Sequence, residues 1–176
     1  TMRNVSLNPT RTGFIEFLRK MGANIKTTIT SEQPERIGVI EVKGAKLKGG
    51  LVSPEMIPTL IDEIPLLAVV AARAHGKTEV RGAEELRVKE SDRLEAIAKN
   101  LRAMGIEIEV RKDGFVIEGP QNFKGAKIET FHDHRIAMAF SIAGLVAKGT
   151  TEIHGASCVS ISYPEFFDVL KNLTKG

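Results

Sequence analysis

Apolar residues recur at helical spacing in two separate stretches, Phe14, Phe17, Leu18 and Met21, and then Ile97, Leu101 and Met104. The two stretches share sequence as well as period. Leu18-Arg-Lys-Met-Gly-Ala-Asn-Ile25 matches Leu101-Arg-Ala-Met-Gly-Ile-Glu-Ile108, so each predicts an amphipathic helix stopped by a glycine, Gly22 or Gly105. A strand pair is predicted after each helix. The first is Ile25 to Thr30 with Gly38 to Val42. The second is Ile106 to Val110 with Gly114 to Glu118, where Ile106, Ile108 and Val110 alternate with Glu107 and Glu109 as in a strand with one wet face.

A second kind of helix also occurs twice, over Asp62 to Arg73 and over Asp133 to Gly144. Both are apolar around most of their circumference, which predicts burial. Each leads through a glycine, Gly76 or Gly149, to a short strand, Thr78 to Gly82 or Thr151 to Gly155. The repeating unit is therefore strand, helix, strand, strand, helix, an α/β architecture with mixed sheets outside and buried helices inside. The chain opens within one unit, its strand Asn4 to Leu7 lacking a preceding buried helix. It closes within another, the helix Tyr163 to Leu173 lacking its strand pair. Residues 1–176 are thus expected to form a single incomplete domain of a longer polypeptide. Frayed terminal caps on a two-repeat protein are the alternative.

Composition narrows the partners. With 176 residues, 42% of them hydrophobic, the chain has enough material for a core and fits one ordinary domain or two very small ones. Its longest charge-free apolar run, Ile136 to Ala147, is short of the roughly 18 residues that a membrane helix needs. No membrane association is expected. Cys158 is the one cysteine, so no intrachain disulfide can form, and the reducing cytoplasm is the expected compartment. The formal charge of +3 is spread out, and aromatic residues make up 5%, too few for a nucleic-acid stacking platform. No nucleic acid is expected either. The chain has no G-x-G-x-x-G, Walker loop, G-x-S-x-G or C-x-x-C pattern.

The chemistry concentrates at three helix starts. Arg87-Val-Lys-Glu-Ser-Asp-Arg93 leads into the amphipathic helix, and Arg93 falls where the macrodipole disfavours a cation by about 0.3–1 kcal/mol. Either a bound anion resolves that conflict or Arg93 pairs with Glu90 or Asp92 on a solvated face. His132-Asp-His-Arg135 opens a buried helix, with Asp133 as N-cap and Arg135 repeating the anomaly. Its two histidines lack the further ligands that zinc needs, and no metal is assigned. Asp62 opens the equivalent buried helix, as N-cap or as a functional carboxylate. If these ends converge, they assemble carboxylates that move protons, two forked guanidiniums suited to carboxylate or phosphate, and Lys89 as a point charge.

At these residues the chain resembles the EPSP synthase (5-enolpyruvylshikimate-3-phosphate synthase) family of enolpyruvyl transferases. The resemblance is carried by Asn8-Pro-Thr-Arg-Thr-Gly13, Leu-Ile-Asp62-Glu-Ile-Pro65, Glu84-Glu-Leu-Arg-Val-Lys-Glu-Ser-Asp-Arg93, Phe131-His-Asp-His-Arg-Ile-Ala-Met138 and Ser162-Tyr-Pro-Glu-Phe-Phe167. It implies a two-domain enzyme of which this chain is the C-terminal part, each domain a three-fold array of such units. It implies transfer of the enolpyruvyl group of phosphoenolpyruvate to the 5-hydroxyl of shikimate 3-phosphate, with release of phosphate and no cofactor. By motif, Asp62 is implied as the base at that hydroxyl and Glu90 as the acid that protonates phosphoenolpyruvate. Lys89 is implied as a contact to shikimate 3-phosphate, Arg93 and Arg135 as a clamp on phosphoenolpyruvate, and His134 as a hydrogen-bonding neighbour.

Two departures qualify what the resemblance implies. Ile161 stands where some members of the family carry a lysine; another branch lacks that lysine too, so one phosphoenolpyruvate contact is in question rather than the function. The family's N-terminal lysine, serine and arginine and its whole opposite domain have no counterpart here, so the fragment by itself is expected to be inactive. A related transferase acting on a nucleotide sugar, or a non-catalytic module that keeps the fold, are the alternatives.

Overall fold

The computed structural model describes residues 1–174. Strand β1 (Met2–Ser6), helix α1 (Gly13–Lys20), β2 (Asn24–Ser31) and β3 (Ile37–Lys43) are followed by a two-residue strand β4 (Leu51–Val52), a single helical turn α2 (Ile57–Leu60) and the buried helix α3 (Ile64–Arg73). The order then repeats. β5 (Gly76–Val80), α4 (Arg93–Ala103), β6 (Glu109–Arg111), β7 (Gly114–Gly119), β8 (Lys127–Glu129) and α5 (His134–Val146) lead into β9 (Glu152–His154) and α6 (Phe166–Thr174).

Strand pairing follows the sequence repeat. β3 is flanked antiparallel by β1 and β2, and β7 is flanked antiparallel by β5 and β6. The short strands β4 and β8 lie parallel to β5 and β9, an extra element per unit that the hydrophobic pattern does not reveal. Two or three residues are too few to show a period. The glycine stops hold: Gly22 has φ +98° and Gly105 φ +77°, a left-handed conformation that ends each amphipathic helix without a Cβ clash.

Several expected boundaries shift: β1 runs Met2–Ser6 rather than Asn4 to Leu7, and β5 runs Gly76–Val80 rather than Thr78 to Gly82. The second strand pair begins at Glu109 rather than Ile106 because the Gln121 side chain occupies the backbone of Glu107. It accepts from the Glu107 N–H at 2.8 Å and donates to the Glu107 carbonyl at 3.0 Å. Ile106 and Ile108 fill the core instead. The first buried helix begins at Ile64, since residues 61–63 form a tighter 3-10 turn ahead of Pro65. The last helix starts at Phe166, preceded by a 3-10 segment over Ala156–Ile161.

The core lies where α3, α4 and α5 meet the inner faces of the sheets. Leu60, Ile64, Leu67, Leu86, Ile97, Leu101, Phe115 and Phe140 are all withdrawn from solvent there. Because α3 and α5 lie side by side and α4 packs across β8, the starts of α4 and α5 and the turn before α3 come to one end of the molecule. The last helix is different. None of its residues is buried, and Ile161, Phe167, Val169 and Leu173 face solvent.

Candidate active site

Two capped helix starts build the site. Asp92 caps α4 by accepting the Glu95 N–H at 3.0 Å, and Asp133 caps α5 by accepting the N–H groups of Arg135 at 2.9 Å and Ile136 at 3.4 Å. These caps fix where Arg93 and Arg135 leave their backbones.

Arg93 is 1% exposed, so its charge needs partners within the protein. Its Nε donates to Asp133 Oδ2 at 2.7 Å, Nη2 to Glu90 Oε2 at 2.6 Å and Nη1 to Asp62 Oδ1 at 3.5 Å. The Ser91 hydroxyl adds a 3.1 Å bond to the same Asp133 oxygen. The expectation of Arg93 either awaiting an anion or pairing on a solvated face is therefore revised. It is buried, and protein carboxylates already balance the cation at the helix start.

Arg135 turns to the same acidic group. Its Nη2 lies 3.1 Å from Asp62 Oδ2, its Nη1 donates to the Asp62 carbonyl at 3.2 Å, and the same Nη1 is 3.7 Å from Glu63 Oε1. Asp62 makes no cap for α3, contrary to one of its two expected roles, because the 3-10 turn carries its carboxylate to the arginines. The structure thus brings Asp62, Glu90, Arg93 and Arg135 into one connected network. Lys89 is outside it, paired with Glu85 one turn back. His134, the first residue of α5, is half-buried, and its imidazole makes no hydrogen bond among the described residues.

Three participants were not among the site residues expected from the sequence. Asp133 was legible as a cap but not as the buried counter-ion of Arg93. Glu63 and Arg11 close the other side: Arg11 Nη1 donates to Asp62 Oδ2 at 3.0 Å and Nη2 to Glu63 Oε1 at 3.5 Å. The one signal for Arg11 was its place in the Asn8 to Gly13 motif.

The two neighbouring carboxyls are driven apart. Burial pushes Asp62 up, but the hydrogen bond from Arg11 and the charges of Arg135, Arg11 and Arg93 hold it below the ordinary carboxylate range. Burial also pushes Glu63 up. There the charges of Arg11 and Arg135 do not compensate, the Asp62 charge adds to the shift, and Oε2 is buried without a hydrogen-bond partner. Asp133 follows Asp62: burial raises it, while the Arg93 hydrogen bond and charge, the Arg135 N–H and Ser91 bring it below the usual range.

The segment feeding α5 is held in place from α4. The buried Asn100 side chain donates to the Glu129 carbonyl at 2.8 Å and accepts the Glu129 N–H at 3.0 Å. Phe131 and His132 then take left-handed backbone angles, φ 53° and 59°, which cost about 1–3 kcal/mol each for residues with a Cβ. Lys99 stands 5.0 Å from the Phe131 ring centre, a cation–π contact that helps hold the turn.

A cavity of about 290 Å³ opens beside this network, with Asp62, Glu63 and Arg135 on its rim and Leu66, Met138, Ile142 and Phe166 among its apolar lining. A larger hollow of about 640 Å³, lined by Glu107, Glu109, Glu118 and Gln121, shares no residue with the network and has no basic group to hold an anion. No group of three His, Cys, Asp or Glu side chains among the described residues could hold a metal. What the arrangement offers chemically is two guanidiniums of a kind suited to carboxylate or phosphate, here held by protein carboxylates of a kind that can move protons.

Comparison with known proteins gives the same direction. A family model described as EPSP synthase (3-phosphoshikimate 1-carboxyvinyltransferase) matches residues 1–170. A 3-phosphoshikimate 1-carboxyvinyltransferase of Carboxydothermus hydrogenoformans is 50% identical over 176 residues, covering 99% of this chain and 41% of that protein. The solved EPSP synthase of Acinetobacter baumannii superposes with a TM-score of 0.93 at 43% identity, over 97% of this chain and 40% of that one. The enolpyruvyl transferase NikO from Streptomyces tendae shares the fold alone, with a TM-score of 0.65 at 19% identity over 92% of this chain and 35% of that one. The chain spans about two fifths of the length of the curated relatives it matches.

Proposed function

The chain belongs to the EPSP synthase family, and from that premise we propose that it supplies one side of an active site. That site transfers the enolpyruvyl group of phosphoenolpyruvate to the 5-hydroxyl of shikimate 3-phosphate in the cytoplasm. The rest of the polypeptide supplies the other side. The single observation that carries this reading is the joining of Arg93 and Arg135 through the carboxylate of Asp62, with Glu90 held by Arg93.

Phosphoenolpyruvate brings a carboxylate and a phosphate to two forked guanidiniums, so its anionic groups replace protein carboxylates on Arg93 and Arg135. The displaced Asp62 accepts the proton of the substrate hydroxyl, whose oxygen attacks C2 of phosphoenolpyruvate. Glu90 loses its bond to Arg93 in the exchange. It can then hold a proton and deliver it to C3, which becomes a methyl group. The tetrahedral intermediate collapses as the C–O bond to phosphate breaks and C3 returns its proton to Glu90, forming the enol ether, while the departing phosphate takes the proton held by Asp62. Lys89, freed from Glu85, is placed one residue before Glu90 to meet the phosphate of shikimate 3-phosphate, and His134 is available as a donor beside Arg135.

The test is phosphate release by an enzyme of full family length carrying this sequence. Release with phosphoenolpyruvate and shikimate 3-phosphate supports the assignment. Glu90→Gln is expected to lower turnover by about 100- to 10,000-fold while phosphoenolpyruvate still binds. Release with a nucleotide sugar instead would reassign the acceptor, and no phosphoenolpyruvate binding at all would make the chain a non-catalytic member of its fold.

A further inference from the structure

Arg11 belongs to a sequence motif with no assigned part in the chemistry, yet the fold carries it across 51 positions to the carboxylate of Asp62. We propose that Arg11 is a positioning residue for Asp62, the cation that stays on this carboxylate when an anionic substrate draws Arg93 and Arg135 away. The inference rests on the reading of Asp62 as the proton acceptor.

Four charged groups face Asp62: Arg93 from the start of α4, Arg135 from α5, Arg11 from the loop before α1, and its own neighbour Glu63. Arg93 and Arg135 come from the two helix starts that phosphoenolpyruvate would occupy. Arg11 does not. Its guanidinium spans Asp62 Oδ2 at 3.0 Å and Glu63 Oε1 at 3.5 Å, so it both orients the catalytic carboxylate and draws the Glu63 charge aside. Its side chain is 50% exposed, which weakens the pair through solvent screening. A weak partner suits a base: a fully desolvated cation would bind the carboxylate too firmly for it to accept a proton. Asp62 keeps its orientation and stays ionised, open to a proton.

The experiment has two arms. In the 176-residue chain, NMR titration of the Asp62 carboxyl is expected to move upward in Arg11→Gln and return most of the way in Arg11→Lys, with backbone spectra confirming the fold. In the enzyme of full family length, Arg11→Gln is expected to lower kcat by about 10- to 100-fold with KM for phosphoenolpyruvate little changed. The acid limb of its pH profile should shift upward and be restored by Arg11→Lys. An unmoved Asp62 titration overturns the proposal. If instead the titration moves while kcat and its acid limb stay as in the parent, Asp62 is not the base, and the reading of the site fails rather than the pairing.

Discussion

The Arg93 guanidinium and the Asp133 carboxylate meet at 2.7 Å with both side chains essentially out of contact with solvent. One carboxylate therefore serves two helices, as the counter-ion at the start of α4 and as the cap of α5. The geometry of the whole network descends from this pair, because it sets the separation of the two helix starts from which the arginines project.

Removing that carboxylate should be far more damaging than removing an exposed cap. Asp133→Ala leaves Arg93 buried with only Glu90 and a distant Asp62, and the loss is expected at about 3–5 kcal/mol. Asp92→Ala, at a solvent-exposed cap, is expected to cost about 1 kcal/mol. Urea denaturation of the two variants checks the difference, and equal midpoints would show that the buried pair has no special weight.

Stability should fall as acid is added, with a known sign. Asp62 and Asp133 are held below their ordinary range, so their contribution is present above that range and lost as pH falls through their native values. Glu79 behaves in the same way. The hydrogen bond from Arg81, followed by that from Lys77, draws it down to about 2. Glu63 works the other way: its raised carboxyl favours folding while protonated, and that contribution disappears as pH rises through its native value. Glu63→Gln should therefore remove a loss of stability just above the usual carboxylate range while leaving the acid loss in place. Denaturation midpoints measured from about pH 3 to about pH 7 would read both limbs. An unchanged profile in Glu63→Gln would refute the assignment for that residue.

Chains isolated at this length should associate. Ile161 and Leu173 are each 78% exposed, and Tyr163, Phe167 and Val169 are exposed in the same terminal region, apolar surface that favours association. Sedimentation over a roughly hundredfold range of concentration is expected to show rising mass. Ile161→Glu with Leu173→Glu should suppress it. The same preparation is expected to release no phosphate from phosphoenolpyruvate and shikimate 3-phosphate, since it spans about two fifths of its relatives' length and holds one side of the proposed site. A strictly monomeric chain, or turnover by it, would contradict these expectations.

Period and punctuation determined the repeat. The helix of Phe17 and Met21, its counterpart of Ile97 and Leu101, their glycine stops and the two apolar helices are properties of neighbouring residues, because helical spacing and a left-handed glycine act within a turn or two of backbone. The motifs likewise singled out Asp62, Glu90, Arg93 and Arg135. Tertiary packing decided what those side chains meet. Arg93 reaches Asp133 across 40 positions and Arg11 reaches Asp62 across 51, distances over which no local pattern registers a partner. It also decided that Asp62 leaves α3 uncapped, that Lys89 turns to Glu85, and that Gln121 delays the start of a strand by taking the backbone of Glu107. A charge brought out of water must find an opposite charge or a hydrogen bond wherever the fold places one, and that demand is met in space rather than along the chain.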